Sequence, residues 1–237
     1  MTQDQTVADV VTQDIRTATV FKKFGIDFCC GGGKDIKSAC NEKGANFEDL
    51  MTELDLILNS TQTDFDFQAM PLDELIDYIY EKHHRYLYEN GPITAQFVDK
   101  VARVHGQRHS ETMEIAKIFS ELLFELNHHM MKEEKILFPY VKKLVAIDKG
   151  QSTEPQTRPF INHPIRVMQM EHDNAGKMLK KLSQLTSNYT PPEDACNTYR
   201  ASFANMKELE DDIHFHIHLE NNILFPKAIE LESKLSN

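Results

Sequence analysis

The chain has 237 residues, 41% hydrophobic and 27% charged, which suits a globular core and argues against disorder. Its 37 acidic and 26 basic residues leave a net charge of -11, a surface that repels phosphate backbones, so no nucleic-acid partner is expected. No stretch approaches the about 20 apolar residues of a bilayer span, and the opening MTQDQTVADVVTQDIR lacks the basic and apolar regions of a secretory signal. The expectation is a soluble, cytoplasmic protein without a membrane partner.

Tryptophan is absent, while histidine occurs eleven times. The cysteines are Cys29, Cys30, Cys40 and Cys196, too few and too uneven for a secreted disulfide scaffold. Most of the glycines crowd into the first 44 residues, and the rest of the chain is nearly free of them, as long helices would be.

Apolar residues recur at helical spacing over residues 6–24, with Thr6 to cap the start and Gly25 to end the helix. A Cys-Cys-Gly-Gly-Gly turn follows, then a short helix near residues 35–43. Another helix covers residues 47–58, capped by Asn46. Residues 59–70 read as a linker, which sets a small helical domain at residues 1–60 against a larger one at 71–237. The larger domain starts with a helix over about residues 71–89, which breaks at Asn90-Gly91-Pro92. A less defined helical segment at about 94–105 leads into a long helix over 110–147. A proline-bearing loop at 150–164 precedes a helix over 164–187. The last helix is expected to open at Thr190-Pro191-Pro192-Glu193, a capping pattern with proline in the first turn. No segment alternates with a period of two, so the fold class is all-α.

The second half of this domain repeats the first. HMMKEEKILFP at 129–139 returns as HIHLENNILFP at 216–226, with an offset of 87 residues. His84 precedes His129 by 45 residues, and His172 precedes His216 by 44. Two such helical hairpins would build a pseudo-symmetric four-helix bundle. Residues i and i+4 share a helix face. His129 and Glu133 fill the gap in an apolar stripe of Ile115, Ile118, Phe119, Leu122, Leu126 and Leu137. His216 and Glu220 do the same among Phe203, Met206, Leu209, Ile213 and Leu224. His172 lies on the stripe of Ile165, Met168, Ala175 and Leu179. His128, His214 and His218 fall on the wet sides, with charged neighbours.

At least three histidines and two glutamates therefore point inward, with no lysine or arginine on the same stripes. Buried carboxylates without a counter-charge are costly, so a bound metal is the expected compensation. Imidazole and carboxylate without thiolate suit iron, manganese or zinc. Two glutamates able to bridge, with two histidines per ion, fit a dinuclear iron centre with an oxo or hydroxo bridge best. On the first helix, the stripe of Leu72, Ile76, Ile79 and Leu87 favours His83 over His84 by phase. The bland reading of the Cys-Cys-Gly-Gly-Gly turn is structural, its glycines allowing positive φ. The functional one is a redox-active or metal-relaying thiol pair, or an intermolecular disulfide. Cys40 and Cys196 read as structural. His105 and His109 read as solvated or as lining an entrance, and Glu134 and Glu171 as transient iron acceptors.

The ordered set of H-H, H-M-M-K-E-E-x-I-L-F-P, E-H-D-x-A-G and H-x-x-L-E-N-N-x-L-F-P, preceded by D-F-C-C-G-G-G, resembles the repair-of-iron-centres family over nearly the whole chain. That resemblance implies a hemerythrin-like up-and-down four-helix bundle with a small N-terminal cysteine-containing domain. The implied ligands of two iron ions are His84, His129, Glu133, His172, His216 and Glu220, with Cys29 and Cys30 as candidate redox thiols. It takes His84 where phase favours His83. It implies repair of iron–sulfur clusters damaged by nitric oxide or oxidants, with iron from a labile site. The partners would be damaged iron–sulfur proteins, with nitric oxide or dioxygen as small ligands, and a homodimer stays open. The alternative is an oxygen or nitric oxide sensor or carrier, or a nitric-oxide-reducing enzyme. The thiol domain favours a repair factor or nitric-oxide-reactive enzyme over a sensor or carrier, which would not need it, and an iron donor is expected rather than a turnover enzyme.

Overall fold

The computed structural model describes residues 5–29, 31–59, 66–151 and 160–236. Among them helices dominate, and the only pairing of extended residues is a lone antiparallel bridge between Thr6 and Asp35. The fold class is all-α, as the periodicity predicts. Four short helices form the N-terminal part: α1 (Val7–Gln13), α2 (Thr17–Lys23), α3 (Ile36–Lys43) and α4 (Phe47–Leu58). Thr6 caps α1, accepting from the Asp9 amide while Asp9 reciprocates. Asn46 caps α4, and Gly25, at φ +68°, ends the second turn of chain.

The single helix expected over residues 6–24 is two. Asp14 is extended, and its carboxylate accepts from the Arg16 amide and guanidinium. That local bonding competes with the helix ladder and turns the chain. The Asp27 carboxylate similarly organises the cysteine turn, accepting from the amides of Cys29 at 2.9 Å and Gly31 at 3.0 Å. Gly32 is needed for close approach rather than for positive φ: a Cβ there would lie 2.4 Å from the Phe28 carbonyl oxygen. Cys30 lies outside the described residues, as do residues 60–65 of the expected linker and 152–159 of the expected loop.

Four rods form the rest. The first joins α5 (Leu72–Ile79) to α6 (Arg85–His105) through a π turn, Tyr80–His84. The second joins α7 (Glu111–Lys132) to α8 (Phe138–Asp148) through a π turn, Glu133–Leu137. The third is α9 (Asn162–Leu185). The fourth joins α10 (Asn197–Leu219) to α11 (Phe225–Ser236) through a π turn, Glu220–Leu224. At each π turn one amide reaches back five residues instead of four: Arg85 to Tyr80, Phe138 to Glu133, and Phe225 to Glu220. In two of them a proline follows at once (Pro139, Pro226), where a regular helix would lose a bond anyway.

Two expectations fail here. The first rod does not break at Asn90-Gly91-Pro92. Pro92 faces solvent, the Asn90 side chain takes up the Tyr86 carbonyl, and Gly91 permits close contact with the second rod, since a Cβ would lie 2.9 Å from Leu123. Packing overrides the local breakers. The fourth rod starts later than Thr190. Ser187, Asn188 and Tyr189 all take left-handed φ, and Asp194 is held by Arg108 and His109, which keeps this stretch a turn until Cys196. No helix among the described residues is long and apolar enough to cross a membrane.

Candidate metal centre

The three π turns each carry or flank inward-facing ligand-type residues. A π turn inserts one residue, which rotates the following face by about 100° relative to a regular helix. This resolves the choice posed by the first rod. Across the π turn both His83 and His84 are buried, but His84 is the one that faces the other candidates.

His84, Glu133, His216 and Glu220 each offer one atom to a group within 4.8 Å, and His129, Glu133, His172 and Glu220 form a second such group. The two groups share both carboxylates. Within them His84 Nε2 lies 3.1 Å from His216 Nε2, and His129 Nε2 lies 2.9 Å from His172 Nε2. Glu220 presents Oε1 to His216 at 2.9 Å and Oε2 to His172 at 3.2 Å. Glu133 Oε2 is 3.3 Å from His129 and 3.5 Å from His84. The structure thus brings all six sequence-expected residues together at the centre of the bundle, from all four rods, none more than 3% exposed.

Both oxygens of Glu133 and Oε2 of Glu220 are buried without an aligned hydrogen bond. Such oxygens are costly unless a cation meets them, and four imidazoles with two carboxylates are a fitting donor set for it. Without a metal, protons take that part. Burial works to lower the His84 pKa, but hydrogen bonds to Glu133 and Glu134 override it and raise it to about 9. His129, also opposed by burial, is raised to about 10 by the charge of Glu133 and its bonds to Glu133 and Glu171. Burial is the main influence on Glu133 and Glu220, yet their imidazole neighbours hold both below the usual carboxylate range. His216 is lowered by its burial.

A second layer orients the rings. His84 Nδ1 bonds Glu134 at 2.8 Å, which also accepts from the Tyr88 hydroxyl at 3.1 Å. His129 Nδ1 bonds Glu171 at 2.9 Å, and Lys132 holds the other oxygen of Glu171. His172 Nδ1 bonds Asn221 Oδ1 at 2.9 Å. Each bond leaves the Nε2 side toward the centre, the arrangement seen behind metal-bound histidines. Glu134 and Glu171, expected as transient acceptors, are in this structure ring partners. Tyr88 and Asn221 escape the sequence reading. A usable signal exists: Glu134, Glu171 and Asn221 each adjoin an inward residue in sequence, which turns them toward a neighbouring rod.

The thiol turn lies elsewhere. Cys29 is 5% exposed, with Sγ 3.3 Å from Asp27 Oδ1. Its neighbour Phe28 packs on His214 and His218 of the fourth rod, ring centres 6.2 and 5.9 Å apart. His218, expected on the wet face, is fully buried because the N-terminal part covers it, with Thr12 Oγ1 3.4 Å from Nε2. Burial lowers its pKa to about 4. Cys40 is buried as expected, whereas Cys196 is exposed at the start of α10, 3.3 Å from His105 Nε2. His109 bonds Asp194 at 3.0 Å, so neither histidine is simply solvated.

Comparison with known proteins agrees with this architecture. Residues 75–228 match the Hemerythrin HHE cation binding domain, and residues 3–57 match a Domain of Unknown function (DUF542). The chain is 37% identical over 217 residues to an Iron-sulfur cluster repair protein YtfE from Yersinia pestis (strain Pestoides F), covering 92% of this chain and 93% of that one. It is 38% identical over 213 residues to the protein of the same name from Yersinia pseudotuberculosis serotype IB (strain PB1/+), covering 90% and 91%.

Proposed function

This chain belongs to the repair-of-iron-centres family, and from that premise we propose that it repairs damaged iron–sulfur clusters by supplying iron from a dinuclear site in its bundle. The observation that carries the reading is the pair of buried carboxylates, Glu133 and Glu220, common to two groups of histidines. On this reading His84 and His216 would hold one ion and His129 and His172 the other, with Glu133 and Glu220 available to both.

Bound iron would supply a labile, redox-active cation for delivery to a damaged cluster. The chain's own residues do the rest. Glu134, Glu171 and Asn221 fix ring orientation from behind, so the Nε2 atoms stay aimed inward. The apolar residues around the site, among them Leu126, Phe138 and Phe225, keep bulk water from competing with the ligands. The reading takes residues 1–60 and 71–237 as two domains, with Cys29 and Cys30 as a redox pair in the first. It takes damaged iron–sulfur proteins as partners, nitric oxide or dioxygen as small ligands, and the cytoplasm as the setting.

Metal analysis and iron transfer test this. The purified protein is expected to hold about two irons per chain and to reactivate a cluster-depleted dehydratase in the absence of other iron. Stable loading with no reactivation, and equal iron release from oxidised and reduced protein, would favour a sensor or carrier instead.

A further inference from the structure

Five inward-facing histidines, not four, surround the fourth rod's π turn. His83 is 3% exposed, and its Nδ1 lies 2.8 Å from Asp212 Oδ1. That repeats the dressing of His84 by Glu134, His129 by Glu171 and His172 by Asn221. With Nδ1 turned to a carboxylate, Nε2 is the ring nitrogen left to meet a metal. His83 Nε2 is buried and has no hydrogen-bond partner among the described residues.

His83 also stands against the candidate centre. Its ring stacks on His216, centres 5.7 Å apart and planes 8° from parallel. His216 Nδ1 and Asp212 Oδ2 are likewise buried without hydrogen-bond partners. Along α10 and its π turn, Glu208, Asp212, His216 and Glu220 recur every fourth residue, a single stripe of metal-binding side chains. The stripe runs outward from the fully buried Glu220 to Asp212, whose side chain is 18% exposed, and then to the exposed Glu208. Among the described residues, Asp212 has no lysine or arginine partner, whereas Glu171 behind the other group is bonded to Lys132. The carboxylate behind His129 is therefore already paired with a cation, whereas the one behind His83 is not.

We infer that His83, held by Asp212, is a fifth metal-ligating imidazole that receives a ferrous ion leaving the position between His84 and His216. The transfer would be a ligand exchange without change of oxidation state: bonds to His84, His216, Glu133 and Glu220 would be exchanged for one to His83 Nε2 and for bonds to water, while the Nδ1 contact to Asp212 is kept. The inference rests on the two-ion reading above.

The test is anaerobic capture of iron by a ferrous chelator from the full-length, iron-loaded, reduced protein. His83→Phe keeps the stacked ring and removes both nitrogens. It should retain two tightly held ions yet slow the first-leaving one by about tenfold, as an added barrier of about 1.4 kcal/mol would. Asp212→Asn keeps an acceptor for Nδ1 and removes the charge, so it should slow release by less. His128→Phe, on the exposed side of the second rod, should change nothing. Normal loading with unchanged or faster release in His83→Phe overturns the inference. If that variant does not fold, unchanged release in Asp212→Asn overturns it. A wild-type chain that holds fewer than two tight ions overturns the two-ion reading itself.

Discussion

Glu133 and Glu220 stand side by side at zero exposure, each belonging to both histidine groups, and among the described residues no lysine or arginine pairs with either. Among the described residues, imidazoles are their nearby source of positive charge. This makes the centre a determinant of stability as well as a place for metal.

The metal-free protein should depend on pH where the loaded protein does not. His84 and His129 are raised to about 9 and about 10 in the metal-free fold, above the ordinary imidazole value near 6.5. A raised pKa contributes stability that is fully present below the unfolded value and is lost as pH climbs through the folded one. The metal-free melting temperature should therefore fall progressively from about pH 6.5 to about pH 10, while the iron-loaded one stays flatter. Loading should release protons over the same window. Identical melting curves for the two forms across it would contradict this.

Removing one carboxylate separates metal binding from folding. Glu220→Leu or Glu133→Leu deletes a donor shared by both groups, so iron occupancy should drop further than in His172→Ala, which touches one group. Metal-free Glu133→Leu should lose the stability that His84 and His129 draw from this carboxylate, so its melting temperature should vary less with pH than that of the metal-free parent. Iron content by metal analysis and thermal melts of chelator-treated protein give the two readings.

Much of this centre is legible in the sequence because the His-x-x-x-Glu repeat obeys a regular helical period, and a period places side chains on a face. What breaks the period is not legible in the same way. The π turn at Tyr80–His84 turns both His83 and His84 inward, where a regular helix would favour His83 alone. Tertiary contact likewise carries α6 through Gly91-Pro92, and docking of Phe28 buries His218 on a face that its charged neighbours mark as wet. Those outcomes depend on residues far away in the chain. The delayed start of α10 depends on Asp194 binding Arg108 and His109, two rods away in sequence order.

Glu134 should matter to affinity rather than to metal count at saturation. It bonds His84 Nδ1 from behind and is itself held by Tyr88. Glu134→Leu should weaken iron binding by about 10- to 100-fold, and Tyr88→Phe should have a smaller effect in the same direction. Competition against a chelator measures both. An unchanged affinity in Glu134→Leu would remove its positioning role.

The thiol turn should be separable from metal loading but not from the packing of the N-terminal part. Cys29 sits 3.3 Å from Asp27 and, among the described residues, none of the ligand groups includes a sulfur, so Cys29→Ser with Cys30→Ser should leave iron content and the near-ultraviolet absorption of the loaded protein unchanged. Phe28, one residue away, is 6% exposed and fills the space beside His214 and His218. Phe28→Ala should cost about 3 kcal/mol, and because the lost contact lies across the two parts, it should loosen their association before it unfolds the bundle. Hydrogen exchange reads this directly. Amides of α1 and of the Phe28 turn should lose protection, while those of α7 and α9, which pack on one another, keep theirs. Iron loss in the double cysteine variant would instead place a thiol among the ligands, and uniform loss of protection in Phe28→Ala would show that the two parts unfold as one unit.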